Sequence, residues 1–327
     1  MRVLVTGGYG FLGAWIARDL LDRGHEPVLF DLASNPRRLE MVLGSQEIAA
    51  LPFAQGDVAD CDRVLAACRQ HDIGGIIHLA GLQVPTCRAK PLEGARVNVL
   101  GTLAVLEAAR QLAAPRPRVV LASSAAVFGP PAMYPPGPLA DQVPLRPGTH
   151  YGWFKICNEG NARVYGLEHG LETVALRPWT VYGPGRDVGM TSEPTRAVKC
   201  LALGRPYRIS YGGVQDLQFV GDIARAFVQC LTGAYKGPEA YNLRGAVVDI
   251  REFHRALCAV EPAARDLISV GESQLPIAPD LDDSLLQAHY GPLPPTPLEE
   301  GLRKTLDRKS TRLNSSHVTT SRMPSSA

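Results

Sequence analysis

The sequence has no apolar stretch near the roughly 18 to 20 residues that a bilayer-crossing helix needs, and no charged-then-apolar leader precedes its first apolar run. A soluble, cytoplasmic protein without a membrane partner is expected. It also lacks a block of one charge: 34 Lys and Arg face 32 Asp and Glu, a net of +2, and only the extreme C-terminus is visibly basic. A nucleic-acid footprint is therefore disfavoured. Its seven cysteines (Cys61, Cys68, Cys87, Cys157, Cys200, Cys230, Cys258) are odd in number and never spaced C-x-x-C, so neither a disulfide framework nor a metal site is implied. Reduced thiols, most of them packed in the core, are the plain reading. What is present is 327 residues, 45% of them hydrophobic, enough for one large or two modest domains with a full core.

The last 21 residues differ from the rest. Nine of Asp307 to Ala327 are Ser or Thr, against 20 in the preceding 306, and no helical or strand period runs through them. Such composition reads as a disordered polar tail. Back-translated, however, DRKSTRLNSSH resembles a short-read sequencing adapter, so the segment is expected to be foreign to the gene and the natural chain to continue a little past Leu306. Without its four basic residues (Arg308, Lys309, Arg312, Arg322) and one acid, the net charge turns from +2 to −1.

At the other end, Arg2 to Thr6 (RVLVT) is a short β-branched run leading into GGYGFLG and then an amphipathic stretch from Phe11 to Leu21 closed by Gly24. This is strand, glycine turn, helix. Gly7, Gly10 and Gly13 supply a tight turn, close backbone approach to a pyrophosphate, and close packing of helix on strand, with the anion over the helix start at Phe11 and Leu12. The next strand, Pro27 to Phe30, ends in Asp31, 18 residues after Gly13, where a carboxylate can accept from both adenosine-ribose hydroxyls. It would repel a 2'-phosphate, which favours NAD; Arg37 and Arg38 keep NADP open.

Strand and helix patterns then alternate: PFA near Pro52, a helix from Asp60 to about Gln70, GGIIHLAG from Gly74, a helix from about Glu93 to Ala113, RVVLASS from Arg118, a helix from Tyr151 to His169, and TVALR from Thr173. The expected fold is α/β, a doubly wound parallel sheet (Rossmann) with a smaller C-terminal substrate-binding lobe. Residues 1–177, with later contributions from about 216–245, would bind the cofactor, and 178–306 would mainly form the substrate side. Ligands in such folds sit at the C-terminal strand ends, which here carry Asp57 and Val58, then Leu79, Ala80 and Gly81, then Ser123 and Ser124. His78, inside an apolar strand, reads as packed rather than catalytic. Further on, Thr195 to Leu203 and Asp222 to Leu231 read as helices, AYNLRG near Ala240 as a strand, and Pro276 to Pro297 as irregular and peripheral.

Tyr151 and Lys155 share one face of a helix at i, i+4 spacing, directly after a Pro- and Gly-rich loop that follows Ser123 and Ser124. Together TGGYGFLG, Asp31, HLAG, N-V-x-G-T at Asn98 to Thr102, SSAAVFG, Y-G-W-F-K and LRPWTVYGPG resemble the extended short-chain dehydrogenase/reductases, specifically the NAD-dependent epimerase/dehydratase family, over about Met1 to Leu306. The resemblance implies Tyr151 as catalytic base or acid, Lys155 as holder of the nicotinamide ribose, Ser124 as the catalytic serine, and Asn98 and Pro178 among the cofactor contacts. A nearby ammonium and nicotinamide cation would favour the phenolate of Tyr151.

Two departures from the family pattern bear on substrate. Ala125 and Ala126 stand where sugar-nucleotide dehydratases of the family carry an acidic pair, so 4,6-dehydration is not expected. Gln215 stands where relatives acting on nucleoside-diphosphate sugars place an Arg on the diphosphate, and Trp179 and Thr180 replace the usual Asn-Val, so Trp179 could offer an apolar or stacking wall. Arg196, Arg205 and Arg208 are possible substitutes for the missing arginine, though each also reads as a solvated surface residue. The expected function is NAD-dependent oxidation or epimerisation at a secondary hydroxyl of a sugar or sugar-nucleotide-like substrate. Alternatives are an NADPH-dependent carbonyl reductase and a non-catalytic NAD-sensing regulator, the latter opposed by the intact Tyr151 and Lys155. Related proteins pair the helices after Glu93 and at Tyr151, which implies a homodimer.

Overall fold

The computed structural model describes residues 1–307. Apart from Asp307, the segment read as adapter-derived lies outside the described residues. Strands β1 (Arg2–Thr6), β2 (Glu26–Asp31), β3 (Phe53–Gln55), β4 (Gly75–His78), β5 (Arg118–Ala122) and β6 (Thr173–Arg177) alternate with helices. They are followed by β7 (Thr180–Tyr182), β8 (Tyr207–Ile209), β9 (Val214–Phe219), β10 (Ala240–Asn242), β11 (Ala246–Asp249) and β12 (Ile268–Val270). Seven strands form one parallel sheet in the order β10-β6-β5-β4-β1-β2-β3. Helices cover both faces, so Val3, Leu4, Val5, Ile76, Ile77 and Val120 have no exposed surface; that is why these strands read as unbroken apolar runs. The doubly wound α/β fold expected from the sequence is the one observed. Strand order reverses between β1 and β4, and the crevice at their C-terminal ends is where ligands enter such sheets.

Caps fix the helices that border this crevice. Asp60 accepts from the Arg63 amide at the start of Cys61–Gln70, and Thr149 accepts from the Gly152 amide at the start of His150–His169, which Gly170 ends in the left-handed conformation at φ 63°. The helix expected from Glu93 to Ala113 is present as one helical run, Pro91–Ala95, a π-helical turn Arg96–Leu100, and Gly101–Arg110, and a short helix not expected from the sequence, Val84–Ala89, precedes it. Pro85 and Pro91 each occupy a first turn, where a missing N–H costs nothing, and the wide turn buries Asn98.

The remaining strands form a three-stranded sheet, β11-β9-β7, and the pair β12-β8. The segment 276–297 is not peripheral. Leu281 is fully buried and bridges Leu139, Ala278 O accepts from Trp179 Nε1 at 2.8 Å, and Ser284–Tyr290 is helical. Its prolines stay mostly at the surface, while Ala278, Leu281, Leu286 and Tyr290 between them dock on the core. Among the described residues no helix is long and apolar enough to cross a membrane, and no group of three or more His, Cys, Asp or Glu gathers as a metal site.

Candidate active site

The glycine turn after β1 leaves no room for side chains. A Cβ on Gly10 would stand 2.8 Å from Gly7 O, and one on Gly13 would stand 2.5 Å from the same oxygen; Gly7 itself has φ 68°. The helix Phe11–Asp22 that follows has no side-chain cap and no acid in its first turn, so its leading amides face an anion site without competition. Asp31, at the end of β2, accepts from the Tyr9 amide at 3.1 Å and the Leu32 amide at 2.8 Å, one on each carboxylate oxygen. Burial pushes its pKa up, against the pull of those two amides. Each oxygen keeps a further lone pair for a ribose hydroxyl. Arg38, which could have met a 2'-phosphate, is held by Asp187 at 2.7 Å and by the carbonyls of Gly185 and Tyr9. The turn, the bare helix start and the acid therefore fit a dinucleotide without that phosphate.

Beside the turn, one cavity gathers Leu12, Leu79, Gly81, Ser123, Ser124, Ala125, Tyr151, Lys155, Pro178 and Trp179. Tyr151 and Lys155 sit one helical turn apart, with the Lys155 ammonium 5.5 Å from the centre of the phenol ring and donating to Ala122 O at 2.6 Å. Burial lowers the Lys155 pKa to about 8. Burial also raises the Tyr151 pKa, while hydrogen bonding to Ser124 and the charge of Arg186 pull it down. With the chain's own groups alone, desolvation thus outweighs the pull of Ser124 and Arg186; the phenolate expected from the sequence also calls on the charge of a nicotinamide cation.

The two adjacent serines have different environments. Ser123 is buried and donates to Glu159, which also receives both forks of the Arg177 guanidinium at 2.8 Å in a buried ion pair. Ser124 accepts from the Ala126 amide at 3.2 Å, lines the cavity and reaches the Tyr151 phenol. Ala125 and Ala126 form the short turn that follows, and among the described residues no carboxylate lines this cavity.

Behind the wall, a relay of buried groups holds the ends of β1 and β4. Thr102 donates to Asn98 O at 2.7 Å, so its oxygen accepts from His78 Nε2 at 3.0 Å, which leaves His78 Nδ1 to accept from Thr6 at 2.7 Å. Burial drives the His78 pKa down to about 3, so it is a neutral packed group, as its strand position implied. Thr6 in turn accepts from the Leu79 and Ala80 amides. Asn98 donates to Gly94 O and Leu82 O and presses its own oxygen against Gly81, where a Cβ would lie 2.7 Å away.

Other expected site residues lie elsewhere. Asp57 and Val58 follow the C-terminal end of β3, as expected, outside this cavity: Asp57 is paired with Arg96 at 2.7 Å, and Val58 packs against Gly101. Thr180 and Gln215 have no exposed surface and meet each other at 3.3 Å between β7 and β9 instead of lining the cavity. Strand alternation turns both side chains inward. Arg205 and Arg208 are exposed, and Arg196 covers the Tyr207 ring. Among the described residues the arginine that does reach the cavity is Arg186, in the company of Thr191, Met190 and Ile277. It lies two residues past the Pro of V-Y-G-P, a proximity that was the available sequence signal.

A Rossmann-type sheet whose crevice joins a bare glycine turn to a Tyr-x-x-x-Lys helix defines a dinucleotide-dependent α/β enzyme class. The profile of the NAD dependent epimerase/dehydratase family matches residues 3–243. A UDP-glucose 4-epimerase of Mycolicibacterium smegmatis is 31% identical over 94% of this chain and 98% of its own, and one of Azospirillum brasilense is 33% identical over 78% and 76%. The crystal structure of the Thermus thermophilus UDP-glucose 4-epimerase complexed with NAD is similar with a TM-score of 0.79 at 31% identity, covering 94% of this chain and 99% of that one. The chain belongs to the NAD-dependent epimerase/dehydratase family, and NAD is the cofactor its turn and Asp31 fit.

Proposed function

We propose that this protein acts on a secondary hydroxyl of a sugar or sugar-nucleotide-like substrate, with Tyr151 exchanging the hydroxyl proton, Ser124 holding the same oxygen, and Lys155 fixing the nicotinamide ribose. The observation that carries this reading is the convergence of Ser124, Tyr151 and Lys155 on one cavity beside the glycine turn. Bound NAD would supply the acceptor for the hydride leaving the same carbon; return of that hydride to the other face makes an epimerase, and release of NADH makes a dehydrogenase. Ser124 can donate to the substrate oxygen and steer it to the phenol. Lys155, already cationic in a buried setting, favours the phenolate once Tyr151 must give up its proton. A lining without carboxylates among the described residues supports neither protonation nor removal of a leaving hydroxyl, which argues against 4,6-dehydration. Residues 1–177 with about 216–245 would hold the cofactor and 178–306 would mainly shape the substrate side, in a cytoplasmic homodimer.

The test is turnover of NAD-loaded protein on a sugar and sugar-nucleotide panel, followed by NADH absorbance and by product configuration. Tyr151→Phe is expected to lower kcat by about 100- to 10,000-fold with NAD binding intact. Unchanged turnover in that variant would show that Tyr151 does not handle the proton.

A further inference from the structure

We infer that the substrate carries a carboxylate and that Arg186 binds it in the cavity shared with Ser124 and Tyr151. This rests on the reading of that cavity as the substrate site. The guanidinium is half-buried and among the described residues no acid bonds to it: Nη2 donates to Thr191 Oγ1 at 3.2 Å, the group lies 5.6 Å from the centre of the Phe11 ring, and Nε is shielded from solvent with no acceptor among those residues. The adjacent acid, Asp187, is taken by Arg38. By contrast, Arg177, drawn still deeper into the interior, is neutralised by Glu159. A guanidinium held half out of water, with its Nε shielded and unpaired, is costly unless a ligand completes it.

The ligand must be an oxyanion, because a planar guanidinium matches the paired oxygens of a carboxylate or a phosphate. Charge selects between them. Lys155 is turned to the Ala122 carbonyl, Gln215 is neutral and buried, and Arg205 and Arg208 are exposed, so among the described residues one uncommitted cation faces the substrate side. That balances one carboxylate and leaves a diphosphate undercompensated. Its place also matters: Arg186 is close enough to Tyr151 for each to stabilise the other's charged form, which puts the bound carboxylate beside the reacting carbon rather than at a remote handle. Uronic acids and hydroxy acids with a secondary alcohol have this layout.

Isothermal titration of the NAD-loaded protein with three matched pairs tests this: UDP-glucuronate against UDP-glucose, glucuronate against glucose, and 3-hydroxybutyrate against its methyl ester. At least one acid is expected to bind about tenfold or more tightly than its neutral twin. Arg186→Gln should abolish that preference and leave NAD affinity unchanged. Arg186→Lys, which keeps the charge without the fork, should weaken the acid and spare the neutral twin, and it serves where the glutamine variant does not fold. Equal binding within every pair, or a preference that survives in the variants, overturns the proposal. Loss of NAD affinity in Arg186→Gln also overturns it, by assigning the guanidinium to the cofactor's pyrophosphate. None of these readouts depends on proton transfer, so failure here is distinct from failure of the Tyr151 assignment.

Discussion

Lys155 holds a charge that its surroundings resist. Its pKa in the folded chain, about 8, lies below the 10.5 of a free lysine, so between those values the unfolded chain carries a proton that the folded chain has released. Stability contributed by this residue therefore rises with pH across that window. Relative to Lys155→Met, the wild type without added cofactor should gain up to roughly 3 kcal/mol between pH 7.5 and 10.5, read from paired urea denaturation curves. A flat difference would mean that the ammonium is well solvated. The Ser123 and Ser124 pair shows what side-chain environment adds to sequence. Both follow β5, yet only the hydrogen bond from Ser123 to the Arg177-bound Glu159 reveals that one of them is committed to the scaffold.

At the scale of elements, the glycine turn makes the strictest demand. Gly13→Ala would place a methyl 2.5 Å from Gly7 O and 2.6 Å from Gly8 O, both backbone atoms that cannot swing away. The helix start must then move off β1, and NAD affinity should fall by at least about tenfold while the protein stays folded, measured by titration and circular dichroism. This turn was legible from sequence because the three glycines sit between a strand and a helix with Asp31 ending the next strand, and so was the helix His150–His169 with its Tyr-Lys face. The π turn inside the helix 91–110 was not, since the apolar spacing runs on through it and the wide turn at Asn98 goes with side-chain bonds to Leu82 O and Gly94 O. Strands of three residues, such as β7 and β8, are too short to display a period. Thr180 and Gln215 were readable as aligned positions, but which way a strand faces is set by its partners. Arg186 was missed for the opposite reason: a glycine-rich loop carries no period at all, and only its fold onto Phe11 brings the guanidinium inward.

For the whole molecule, the helix His150–His169 exposes Trp153 at 57% and Leu167 at 65%, and these continue with Cys157, Gly160 and Val164 as a stripe spaced four and three residues apart. Leu92 and Leu100 on the neighbouring segments are open as well. Such a stripe packs well against a second helix, and it supports the proposed homodimer. Trp153→Asp should convert the dimer to monomer in sedimentation or light scattering with the fold retained; a monomeric wild type would remove the proposal. Finally, the cavity draws its two sides from different stretches of chain. Ser124, Tyr151 and Lys155 hang from the main sheet, whereas Arg186, Thr191 and Ile277 come from two loops outside it. Inheritance can act on these separately: drift confined to the loops can hand the same proton-moving apparatus to a new class of molecule, and a transplant of loops 184–191 and 276–278 between relatives should carry substrate preference with it.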